Sequence, residues 1–93
     1  MATRPSRATT ELEDFNLAVY HQRSGDFESA SLKYRAVLEK NELNAQARNN
    51  LGLLYLDKGL VDDAMRELQR AVIIDPRYAR ARINLGVDRK SVV

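Results

Sequence analysis

Residues 50–52 read Asn-Leu-Gly, and residues 84–86 read Asn-Leu-Gly again, 34 positions further on. A looser copy, Asn16-Leu17-Ala18, stands another 34 positions upstream. Other residues keep the same offset: Gly25 with Gly59, Ala30 with Ala64, Ala45 with Ala79 and Ala47 with Ala81. Large residues recur in the same register, as Phe27 with Val61, Tyr34 with Leu68 and Leu38 with Val72. Agreement at so many positions in one register means that a single structural unit is written out more than twice, the signature of a repeat scaffold.

The punctuation between these matches predicts helices. Thr10 followed by Glu13 is a capping box ahead of Leu12, Phe15 and Val19, so a helix is expected from there to about Arg23. Ser24-Gly25-Asp26 is a turn in which glycine supplies the left-handed residue and Asp26 caps a second helix, from about Phe27 to Lys40. One unit later Asn44 caps a helix from Ala45 to about Asp57, Lys58-Gly59 breaks it, and Val61 to Ile74 runs until Asp75-Pro76. A third unit begins at Ala79, and its first helix is expected to reach about Lys90. No segment alternates as a strand does. Residues 1–9, with Arg4, Arg7, Pro5 and no large apolar side chain after Met1, are expected to form a disordered arm, leaving 10–93 as the folded domain.

With 44% hydrophobic and 30% charged residues, the chain has the composition of one ordinary globular domain. Its apolar runs stop at four residues, as in Ala71 to Ile74, far short of the roughly 20 that a spanning helix needs, so no membrane partner is expected. The absence of cysteine removes disulfides, thiol nucleophiles and thiolate metal sites, and the cytoplasm is the default location. A net charge of +2 spread over interspersed signs, without aromatic interleaving, gives no reason to expect nucleic acid. The single histidine, His21, has no Cys, Asp or second His spaced to join it in a metal site, and Asp62-Asp63 serve a helix N-terminus. No phosphate loop or Ser/His/Asp set can be assembled, so neither catalysis nor a cofactor is expected.

Counted from Ala45, the unit has Leu51, Gly52 and Tyr55 on its first helix, Ala64, Leu68 and Ala71 on its second, and Pro76 at its end. This pattern resembles the tetratricopeptide repeat, with Arg48 where the leading Trp usually stands. The unit from Glu11 is looser, with Leu17, Ala18, His21, Ala30, Tyr34 and Val37, and has Glu42 in place of proline. The partial unit from Ala79 offers Leu85 and Gly86 but Arg89 in place of Tyr. The resemblance implies an all-α fold, a right-handed superhelix of stacked helix-turn-helix repeats: 11–44, 45–78 and a partial 79–93, two full repeats plus one further helix.

In such repeats the first helices line a concave groove. Helical spacing puts Leu12, Phe15, Asn16 and Val19 on one stripe, and the register repeats it as Gln46, Asn49, Asn50, Leu53 and as Arg80, Ile83, Asn84, Val87. Asn16, Asn50 and Asn84 thus form a column of carboxamides, each able to pair with both the C=O and the N–H of an extended peptide. It resembles the asparagine ladder of other peptide-binding repeat arrays. Phe15, Val19, Leu53, Ile83 and Val87 would add apolar pockets, and Arg80, helped by Arg77, would attract an acidic residue. Chaperone-binding members of the family grip a terminal carboxylate with Lys, Arg and two Asn. Asn50 and Arg80 match that clamp while Phe15, Val19 and Asn84 replace the rest, so a chaperone terminus is not the expected ligand. The expected function is non-catalytic binding of an extended peptide of a partner protein. The alternative is self-association into a homo-oligomer through the incomplete third repeat.

Overall fold

The computed structural model describes residues 8–78, and within them the chain forms four α-helices: α1 (Glu11–Arg23), α2 (Phe27–Lys40), α3 (Ala45–Asp57) and α4 (Val61–Ile74). Each stands where its sequence signals place it. The helix expected from Ala79 and most of the arm expected over residues 1–9 lie outside the described residues. Thr9, the last residue of that arm segment, donates its hydroxyl to Asp14 at 2.6 Å.

The helix ends are closed by the residues that predicted them. Thr10 Oγ1 accepts from the Glu13 amide at 3.0 Å while Glu13 Oε1 accepts from the Thr10 amide at 2.9 Å, completing the capping box of α1. Asp26 caps α2 through the Ser29 amide, and Asn44 caps α3 through the Ala47 amide. Gly25 and Gly59 hold φ of +81° and +76°. Around them Asp26 N–H reaches His21 O and Leu60 N–H reaches Tyr55 O, the same left-handed termination written twice. Only α4 starts without a side-chain cap, its N-cap being Leu60.

The pairs α1/α2 and α3/α4 pack as hairpins, and α2 packs on α3 to stack one hairpin on the next. Small residues set the spacing: Ala18, Ala30, Ala47 and Ala64 are all fully buried, and Tyr34, Val37, Leu51, Leu54 and Tyr55 fill the space between them. Leu68 and Ala71 continue the core, with Leu53, Val72 and Tyr78 against them.

One expected core residue behaves differently. Leu51 is 1% exposed against the preceding hairpin, whereas Leu17, its counterpart on α1, is 38% exposed. Tyr20 is likewise exposed while its counterpart Leu54 is buried. The face of α3 that packs on α2 has no described helix in front of it on α1, so the same positions meet solvent.

Candidate peptide-binding groove

The candidate site is built on α1 and α3, with one side chain rising from α2 between them. Tyr34 is fully buried, its ring edge-on to Phe15 with centroids 5.9 Å apart. Its hydroxyl donates to Gln22 Oε1 on α1 at 2.5 Å, and the Asn50 carboxamide on α3 lies beside it. Burial pushes the phenol pKa up, and the nearby Asn50 amide and the Arg23 charge offset part of that rise. Gln22, Tyr34 and Asn50 therefore cluster at the seam between the two leading helices. Phe15 and Val19 are half-buried and packed against the core beside it.

The expected groove residues thus fall into distinct environments. Asn16 is exposed on α1, and Asn50 is half-buried beside the Tyr34 hydroxyl. Asn49 is buried, and its Oδ1 has no hydrogen-bond partner among the described residues. Leu53 is half-buried against Leu68 and Ala71, so it serves the second part of the core as well as the stripe. Leu12 is exposed. Asn84, Arg80, Ile83 and Val87 lie outside the described residues. Arg77 is already engaged: its Nε and Nη2 hold both oxygens of Asp75 at 3.0 and 2.9 Å.

Sequence reasoning missed the Tyr34 hydroxyl as part of this face because the repeat pattern reads position 34 only as a core aromatic. It placed Arg48 at the position of the leading Trp but missed Asp14 at the same position of the first unit and the ion pairs that both make. Asp14 is fully buried on α1, accepts from Lys40 Nζ at 2.6 Å, and has Lys33 Nζ 3.8 Å away. Arg48 on α3 donates to Glu67 Oε1 at 2.7 Å and to the Glu42 carbonyl at 3.1 Å. The signal was present as ionisable residues at the same two places in both units. Nearby, Arg35 donates to the Tyr55 hydroxyl from Nη2 at 2.6 Å. The cleft beside Arg35 and Arg48 is also lined by Glu39, Glu42 and Glu67, so charges of both signs meet there. Among the described residues no group of three acidic, His or Cys side chains is placed to hold a metal, and no helix is long and apolar enough to cross a membrane.

Comparison with known proteins agrees with this geometry. A family profile described as tetratricopeptide repeat matches residues 15–79. The chain is also 31% identical over 77 residues to the anaphase-promoting complex subunit CDC16 of Saccharomyces cerevisiae. That match takes in 83% of this chain but only 9% of the length of the yeast protein.

Proposed function

The chain belongs to the tetratricopeptide repeat family, whose repeats are protein–protein interaction modules, and from this we propose that its concave face binds an extended segment of a partner protein without catalysis. The relative is by its name a subunit of a multiprotein complex, which supports a protein partner here.

The observation that carries the reading is the polar cluster of Gln22, Tyr34 and Asn50. Tyr34 takes up one lone pair of the Gln22 oxygen, which leaves Gln22 both N–H donors, and the Asn50 carboxamide stands beside them. Held from beneath, Gln22 is oriented before a ligand arrives and loses little rotamer freedom on binding. The two carboxamides suit the alternating C=O and N–H of an extended backbone, with Phe15 and Val19 giving apolar contact alongside.

A displayed peptide library selected on the protein supplies the ligand, and titration calorimetry of Asn50→Ala supplies the test. Loss of the carboxamide is expected to weaken the selected peptide by on the order of 1 kcal/mol or more, about fivefold, with the helical signal retained. Unchanged affinity would refute the backbone-reading role. Self-association through the third unit is the competing use of the surface, and sedimentation velocity over a wide concentration range separates the two. A monomer throughout leaves the groove free for a partner, whereas a concentration-dependent dimer makes assembly the function.

A further inference from the structure

The two hairpins carry one ion-pair site with its charges exchanged. Asp14 on α1 and Arg48 on α3 are 34 residues apart, as are Lys33 on α2 and Glu67 on α4, so the four side chains occupy two equivalent places. In the first hairpin the leading helix brings the acid: Asp14 faces Lys40 at 2.6 Å and Lys33 at 3.8 Å. In the second it brings the base: Arg48 meets Glu67 at 2.7 Å, with side chains only 12% and 15% exposed. The residue 34 places after Lys40 is Ile74, so α4 offers nothing cationic there.

Apolar packing separates the hairpins only in part: Ala30 and Ala64, and Val37 and Ala71, are alike at matched positions, whereas Gly52 under Leu68 and Phe15 against Tyr34 answer to Ala18 with Tyr34 and to Asn49 with Leu68. Charge discriminates at a second, separate place. If α1 lay on α4, the buried Asp14 carboxylate would face Glu67 and Ile74 and lose both ammonium groups. If α3 lay on α2, Arg48 would face Lys33 and Lys40. A buried charge stripped of its partner, or given a like one, is strongly disfavoured.

We infer that the reversed ion pairs are a pairing code, confining each leading helix to its own second helix and suppressing exchange of helices between unlike hairpins of two copies of this chain. Identical repeats invite that exchange, because a helix released from one copy finds a matching apolar seat on either hairpin of another.

The test rewrites the code while keeping every cognate pair. R48D/E67K/I74K gives the second hairpin the charges of the first, and D14R/K33E/K40I gives the first hairpin those of the second. The combination of all these substitutions exchanges the two sets and keeps the hairpins unlike. Each full-length chain is unfolded in denaturant and refolded from low to high micromolar concentration, then read by circular dichroism and sedimentation velocity. Both single recodings are expected to show a several-fold larger oligomeric fraction than the parent, and the combined variant a parental one. Equal oligomeric fractions in the parent and in a recoded chain of parental helicity overturn the inference, as does a combined variant as oligomeric as the single recodings. Loss of helicity in the single recodings alone still marks likeness between hairpins as the defect. Its loss in the combined variant means that the two places are not equivalent and the code fails.

Discussion

Gly52 lies directly under Leu68: a β-carbon on it would stand 2.7 Å from Leu68 Cγ and 2.8 Å from Cδ2, with the Ala64 carbonyl oxygen at 3.2 Å. The close approach of α3 and α4 depends on that missing carbon. Alanine improves helix propensity by about 1 kcal/mol, but forcing the branch point of a buried Leu aside costs about 1–3 kcal/mol. Gly52→Ala is therefore expected to lower stability by about 1 kcal/mol in urea unfolding, and an unchanged midpoint would show that Leu68 yields freely.

Gly25 and Gly59 pose a different constraint. Nothing lies within 4 Å of a β-carbon at either position, so only their positive φ resists substitution. Gly25→Ala and Gly59→Ala should each cost about 1–2 kcal/mol, from backbone strain alone. Asparagine at either position should recover part of the loss, with thermal melts of the glycine, alanine and asparagine chains as the measurement.

Asp14 predicts how stability depends on pH. Burial raises its pKa, but hydrogen bonds from Lys40 and Thr9 and the charges of Lys40 and Lys33 together outweigh burial and hold it below the ordinary carboxylate value. A depressed folded-state pKa means that the stabilisation is fully present above the unfolded value, about 3.9, and is lost as pH falls through the folded one. Asp14→Asn should cost about 1–3 kcal/mol near neutrality. Urea midpoints of the two chains should converge as pH falls through the folded-state pKa of Asp14. A gap independent of pH would mean that the loss is one of packing.

Tyr34→Phe separates the two roles of that residue. The ring keeps its place against Phe15, so the loss of stability should be limited to about 1 kcal/mol for the hydroxyl. Gln22 loses the atom that orients it, and a selected peptide should bind several-fold more weakly in calorimetry. Parental affinity would show that its carboxamide needs no support from below.

Helix positions were legible because caps and glycines act locally: Thr10 with Glu13, Asp26, Asn44, Gly25 and Gly59 each do in space what their residue types announce. The core was legible where the repeat supplies both neighbours, as at Leu51 and Leu68. It failed at Leu17 because burial there depends on what precedes the hairpin, and the repeat pattern carries no such information. The groove was half legible. Periodicity selects the stripe of Phe15, Val19 and Asn50, but the hydrogen bond from Tyr34 to Gln22 joins helices at a sequence separation that local patterns do not read. No cap, turn or repeat match singles out Asp14, which is a buried ion-pair centre.

The exposed side of α1 also sets the terms for engineering. Leu17 and Tyr20 offer a lengthening graft much of the seat that Leu51 and Leu54 give to α2. Glu13, however, stands where the fully buried Ala47 lets two backbones meet, and it is committed to closing its own helix end. A designer adding a hairpin upstream must therefore replace Glu13 with a small residue and give α1 its start signal from the new linker, so elongation and initiation compete for one residue.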